Sequence, residues 1–271
     1  MKNVLLAFMV SFFLLSVSVA HSAPTVPSIE AEAACLIVAD TQKILYDKKK
    51  DAIMYPASTT KIMTLLTALH HGKPDDVVTI GPDAAGVEGS SLELRTGNRL
   101  TLKELLTGMM LVSGNDAAEA VAQHLGGGST NQFVFWMNQE AERIGADRTH
   151  FTNPHGLPDP INHYTTAYDM ARITAQGYKN PEFVRIVSSA SADVHFLNRS
   201  AFHVSNTNKL LRQYKGANGV KTGYTEEAGE CLVAGAQRNG VQLIAVIFNS
   251  DYRWKDAQKL LDYGFQMLAE K

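Results

Sequence analysis

Two residues three apart, Ser58 and Lys61 in the stretch YPASTTKIMT, have side chains suited to covalent chemistry. On a helix, positions i and i+3 share a face, so the serine hydroxyl and the lysine amine can touch. A serine hydroxyl is a nucleophile when a neighbouring base takes its proton, and a lysine is such a base only if burial or a second cation lowers its pKa. Pro56-Ala57 just ahead fits a helix start, where free N–H groups favour developing negative charge. The same pair reads equally well as two polar residues on the solvated start of an ordinary helix, and four residues alone do not decide between these readings.

Two further stretches share this ambiguity. In MMLVSGNDAAEAVA, Ser113-Gly114-Asn115 forms a polar turn between two apolar segments, either a helix cap or a catalytic turn. In NGVKTGYT, Lys221-Thr222-Gly223 lies in a strand-like run, where lysine and threonine point to opposite sides. Gly223 leaves its backbone open to close approach, although a lysine there is also common on a solvated edge strand.

The elements that must position these residues follow from periodicity. CLIVAD and ILYDKK, separated by Thr41-Gln42-Lys43, read as a β-hairpin. From Pro56 to about Val187 the apolar spacing turns to three and four, predicting helices in STTKIMTLLTAL, LKELLTGMMLV, DAAEAVAQHL, NQFVFWMNQEAERI and YDMARITAQGY. Strand patterns return in NGVKTGYT, GECLVAGAQ and VQLIAVIFN, the last two joined across Arg238-Asn239-Gly240, where Asn-Gly accepts the positive φ of a tight hairpin. WKDAQKLLDYGFQML carries Ala257, Leu260, Leu261, Gly264, Phe265 and Leu268 on one face, predicting a helix packed on the sheet. Strands at both ends predict an α+β fold: an antiparallel sheet of about five strands built from both chain ends and flanked by helices. A mostly helical subdomain over about 56–187 is inserted in it, with Ser58 between the two parts.

Ser-x-x-Lys, then Ser-x-Asn, then Lys-Thr-Gly, in that order, is the motif set of serine penicillin-recognising enzymes. The chain from about Cys35 onward resembles the D-alanyl-D-alanine carboxypeptidases, the low-molecular-mass penicillin-binding proteins of the S11 serine peptidase family, also in FTNPHGL and KLLDYGF. The resemblance implies a β-lactamase/transpeptidase-like fold and removal of the terminal D-alanine from peptidoglycan stem pentapeptides through an acyl-enzyme. It makes Ser58 the nucleophile, Lys61 its base and Ser113 the relay to the leaving D-alanine. Asn115 would hold the peptide carbonyl, Lys221 would keep the site electropositive, and Thr222 would reach the terminal carboxylate beside the open backbone of Gly223. Backbone N–H groups of Ser58 and Tyr224 would form the oxyanion hole, worth about 3–4 kcal/mol per donor. Arg253 matches the family's arginine near the carboxylate, and a surface arginine is the competing reading. His155 in Asn-Pro-His-Gly is read as a rim or structural residue, since Lys61 already supplies the base.

Implied partners are stem peptides ending in D-Ala-D-Ala and β-lactam inhibitors. The alternatives are a D,D-endopeptidase cutting cross-links, a non-catalytic penicillin-binding module and a β-lactamase. The last is disfavoured by Ser-Gly-Asn where Ser-Asp-Asn is expected, and by the lack of a glutamate loop between Asn115 and Lys221.

Composition narrows the rest. With 271 residues, 45% hydrophobic and 19% charged, the chain has material for a folded core. A net charge of −2 lacks the basic excess that neutralises phosphates, so no nucleic-acid partner is expected. No cofactor or metal is expected, because neither a His-Glu-x-x-His helix nor Cys/His ligand spacing occurs. The single lysine, apolar run and small residues of 1–23 read as a signal peptide, cut after Ala20 or Ala23, followed by a linker over 24–34. Residues 35–271 then form the catalytic domain, exported to periplasm, cell wall or medium. Larger relatives continue into a β-rich domain and an amphipathic C-terminal anchor; neither is expected here. Cys35 and Cys231 sit in apolar runs and read as buried free thiols.

Overall fold

The structure is a computed structural model that describes residues 24–269; the expected signal peptide lies outside the described residues. Strands β1 (Ala33–Val38) and β2 (Ile44–Lys48) form the N-terminal hairpin. A 3-10 turn, Ala57–Thr60, runs into α1 (Lys61–His71). A small ribbon of β3 (Val77–Thr79) and β4 (Arg99–Thr101) encloses the short α2 (Pro82–Ala85). Helices α3 (Leu102–Val112), α4 (Asn115–Leu125), α5 (Thr130–Ile144), α6 (Ala167–Gly177) and α7 (Pro181–Val187) follow. A second ribbon pairs β5 (Ser191–Val194) with β6 (Phe202–Ser205), and α8 (Leu210–Gln213) leads into β7 (Ala217–Thr225). The chain continues through β8 (Gly229–Arg238), β9 (Val241–Phe248) and α9 (Arg253–Ala269).

The main sheet has the order β2-β1-β9-β8-β7, antiparallel throughout, so the two ends of the chain meet where β1 pairs with β9. This is the expected five-stranded sheet. Alternate side chains of its strands face two separate apolar layers. Leu36, Leu232, Ala245 and Ile247 pack under Ala257, Leu260 and Leu261 of α9, as the apolar stripe of that helix requires. Cys35, Cys231, Val233 and Val246 face the other way, into a larger core shared with α1, α3, α4, α5 and α6. The central strands are buried on both faces, which is why they read as continuous apolar runs.

β7 is an edge strand, and the 3-10 turn that carries Ser58 packs on its face at Gly223. The site therefore forms where the sheet edge meets the N-terminus of α1. The two ribbons were not predicted: β3 and β4 have three residues each, too few to display a period of two.

Candidate active site

The turn that carries Ser58 is tighter than the expected α-helical start. Ser58 sits on the 3-10 turn, and α1 proper begins at Lys61. Ala57, just before the serine, has φ +46°, a left-handed conformation that a non-glycine residue holds only when its surroundings impose it. Those surroundings are glycines. A Cβ added to Gly156 would stand 1.9 Å from Ala57 O, and one added to Gly223 would stand 3.1 Å from both Ala57 Cβ and Ser58 N. The Asn-Pro-His-Gly loop and the Lys-Thr-Gly strand thus clamp the serine from two sides, and both clamps depend on a missing side chain.

Lys61 is fully buried. Its Nζ lies 3.2 Å from Ser58 Oγ, 2.6 Å from Asn115 Oδ1 and 2.8 Å from the backbone carbonyl of His155. Burial, with the charge of Lys221 second, holds the amine well below the ordinary lysine value. A neutral amine has two protons and one lone pair. The Asn115 and His155 oxygens only accept, so they take the two protons, and the lone pair is left for the Ser58 hydroxyl, the one partner that can donate. The Asn115 amide is oriented by its other end, where Nδ2 donates to Glu88 O at 2.8 Å.

Ser113 ends α3 in a left-handed conformation, φ +66°, and is buried. The helix-cap reading of Ser-Gly-Asn does not hold: α4 starts after Gly114 with no side-chain cap, and the Asn115 amide is turned to Lys61 and Glu88 instead. Asp116, one residue on, is buried and accepts from Leu92 N, Leu94 N and Ser91 Oγ. It fastens segment 90–94 beside Asn115, whose own N–H donates to Ser90 O at 2.7 Å.

On β7, Lys221 is buried rather than solvated, and its Nζ donates to Thr222 O at 2.9 Å. Burial, then the charge of Arg253, lowers its pKa to about 7. Thr222 Oγ1 pairs with Thr207 Oγ1 at 2.7 Å, and Tyr224 stands exposed at the mouth. Arg253, at the first position of α9, is not a free surface arginine: Nη1 donates to Gly223 O (2.9 Å) and Cys231 O (3.3 Å), and Nε lies 3.3 Å from Glu230 Oε2. The structure thus brings Ser58, Lys61 and Asn115 into contact, sets Gly223 against the Ser58 amide, and couples Lys221 to Lys61 through its charge.

Sequence reasoning missed the part played by the backbone. His155 contributes its carbonyl; its buried ring, lowered to about 3 by burial and by the charge of Lys61, accepts from Leu157 N. A backbone acceptor leaves no residue-type signature, but the Asn-Pro-x-Gly turn chemistry was a usable sign, since Asn153 Oδ1 accepts from His155 N and Gly156 N to shape the loop. Thr207, Asp116 and the fully packed Thr60 had no sequence signal. Cys35 and Cys231 are free and buried, and burial pushes both thiols up to about 12. Among the described residues, no group of three or more His, Cys, Asp or Glu gathers to hold a metal.

Residues 19–252 match the sequence model of the S11 peptidases, described as D-alanyl-D-alanine carboxypeptidase. The chain belongs to this family. Among relatives of this S11 chain, the D-alanyl-D-alanine carboxypeptidase DacF of Bacillus subtilis is 40% identical over 244 residues, covering 87% of this chain and 62% of DacF. DacD of Escherichia coli is 36% identical, covering 90% of this chain and 65% of DacD. The chain thus spans under two thirds of these relatives' length. The D-alanyl-D-alanine carboxypeptidase of Streptomyces sp. K15 is 34% identical, with 91% of each chain covered. The crystal structure titled Streptomyces K15 DD-transpeptidase superposes with a TM-score of 0.85 at 34% identity, covering 89% of this chain and 99% of that one. The S11 fold expected from the motifs is the fold found.

Proposed function

We propose that this S11 chain is a serine-type D-Ala-D-Ala carboxypeptidase. The observation that carries the reading is the buried Lys61 Nζ, placed 3.2 Å from Ser58 Oγ and held there by Asn115 Oδ1 and the His155 carbonyl. Lys61 takes the hydroxyl proton as Ser58 Oγ attacks the carbonyl of the penultimate D-alanine. The oxyanion forms between the N–H groups of Ser58 and Tyr224, with Gly223 admitting the close approach. The C–N bond then breaks, and the proton passes through Ser113 to the departing D-alanine amine. Water repeats the sequence on the ester and restores Ser58. Lys221, Thr222 and Arg253 make the electropositive end that takes the substrate's terminal carboxylate, and Asn115 holds its peptide carbonyl.

A β-lactam presents a strained amide to the same atoms and acylates Ser58. Export by the signal peptide puts the enzyme outside the cytoplasmic membrane with its peptidoglycan substrate. Among the described residues, no helix is long and apolar enough to cross a membrane. Residues 35–271 serve as the catalytic domain.

The test is incubation of the protein with a stem pentapeptide, a cross-linked dimer and penicillin, following free D-alanine and the mass of the Ser58 peptide. Release of D-alanine from the pentapeptide, abolished by Ser58→Ala, is the expected result. Release that survives Ser58→Ala contradicts the mechanism; cleavage of the dimer alone indicates an endopeptidase, and rapid penicillin turnover a β-lactamase.

A further inference from the structure

His163 is 2% exposed and uses both ring nitrogens on the two segments that hold Lys61. Its Nδ1 accepts the backbone N–H of Thr152 at 3.1 Å, at the start of the loop that supplies the His155 carbonyl. Its Nε2 lies 2.9 Å from Oγ1 of Thr60, the fully buried residue next to Lys61 in the nucleophile turn. A backbone N–H only donates, so Nδ1 carries no proton and the ring is the Nε2–H tautomer, donating to Thr60. Phe151 and the His163 ring pack edge to face, centroids 5.7 Å apart, and the backbone N–H of His163 donates to Asp159 O.

We infer that His163 is a positioning residue for acyl transfer: as the neutral Nε2–H tautomer it ties the nucleophile turn, at Thr60, to the loop 152–157, and so keeps Ser58 Oγ and His155 O together on Lys61 Nζ. The inference rests on the function proposed above. The ring itself is too far along the chain of contacts to exchange protons with substrate; its effect passes through the enclosure of Lys61. Loosening that enclosure removes an acceptor from the amine and admits water, so the lysine regains part of its ordinary basicity. Burial favours the neutral ring, lowering its pKa to about 4. The charges facing it are Asp159, which opposes that shift, and His150, which adds to it; His155 and Lys61 lie beyond, on the loop and on α1. The tie therefore holds across the neutral range.

The test measures the acylation rate of Ser58 by a penicillin, by mass spectrometry from pH 5 to 10, with the thermal midpoint of each variant. Thr60→Val removes the hydroxyl at constant shape, Thr60→Ser keeps it, and His163→Phe removes the contacts to Thr60 and to both the N–H and Oγ1 of Thr152. The expected result is acylation about tenfold slower at pH 7 in Thr60→Val and His163→Phe, with the acid limb moved to higher pH, and a rate within about threefold of wild type in Thr60→Ser. If His163→Phe does not fold, the two Thr60 variants decide. A folded Thr60→Val with the wild-type rate, a slower rate with an unmoved acid limb, or a Thr60→Ser as slow as Thr60→Val overturns the inference and leaves the proposed function standing. A wild-type Ser58 that takes no acyl group overturns the proposed function itself.

Discussion

Gly156 and Ala57 are in contact so close that the smallest side chain on the glycine would reach 1.9 Å from the alanine carbonyl oxygen. Gly156 also has φ +93°, outside the range a side chain tolerates well. Gly156→Ala is therefore expected to destabilise by about 2–4 kcal/mol and to displace the turn that carries Ser58. Urea unfolding and the acylation rate of the folded protein check this; unchanged values of both would contradict the clamp.

Asn115→Asp places a carboxylate where Lys61 Nζ now meets an amide oxygen at 2.6 Å. An adjacent negative charge favours the protonated lysine, so the acid limb of the acylation profile should move up by about 1–3 pH units. On the acid side of the limb, acylation at a fixed pH should slow by about tenfold for each pH unit that the limb moves. A profile that keeps its wild-type position would show that Asn115 does not set the protonation of Lys61.

Lys221→Met keeps most of the length of the side chain and removes its charge. The charge of Lys221 lowers the pKa of Lys61, so its removal should raise the acid limb of acylation. Stability should respond in a defined window. A lysine free in the unfolded chain titrates near 10.4, whereas Lys221 in the folded protein titrates at about 7. Between these values the unfolded state binds more protons, so wild-type stability rises with pH, by up to about 1.4 kcal/mol per pH unit for this group. Below about 7 the penalty of burying the charge is fully present. The variant lacks this contribution, and urea unfolding at pH 7, 7.5, 8 and 8.5 should give it the shallower slope.

Asp256, in the first turn of α9, is fully buried and accepts from Glu30 N (3.0 Å), Ala31 N (2.9 Å) and Ser250 Oγ (2.7 Å). It joins the start of α9 to the segment entering β1. Asp256→Ala leaves buried donors without an acceptor and should cost about 2–4 kcal/mol, measured by denaturant unfolding. Acylation by the folded fraction should stay at the wild-type rate, which separates this contact from those around Lys61.

The main sheet and the long helices were legible because their apolar residues extend over enough positions to be recognised, as a continuous apolar run in β9 and as a helical period in α3. Ser58, Lys61, Ser113 and Lys221 were legible because three short motifs carry their chemistry in side-chain type. What stayed hidden has no such signature. The carbonyl of His155 is common to every residue type, the left-handed turn at Ala57 is imposed by Gly156 and Gly223 from distant segments, and the Thr60–His163 contact joins residues 103 positions apart. Ser58 on a 3-10 turn rather than an α-helix has the same origin, because the clamp and not local propensity shapes that turn.

The most direct test of the central claim is the protonation of Lys61 in the resting enzyme, read from the acylation rate of Ser58 against pH. The expected profile has an acid limb well below the ordinary lysine value near 10.4, moving upward in Lys221→Met. An acid limb at about 10.4, unmoved by Lys221→Met, would contradict a neutral lysine base.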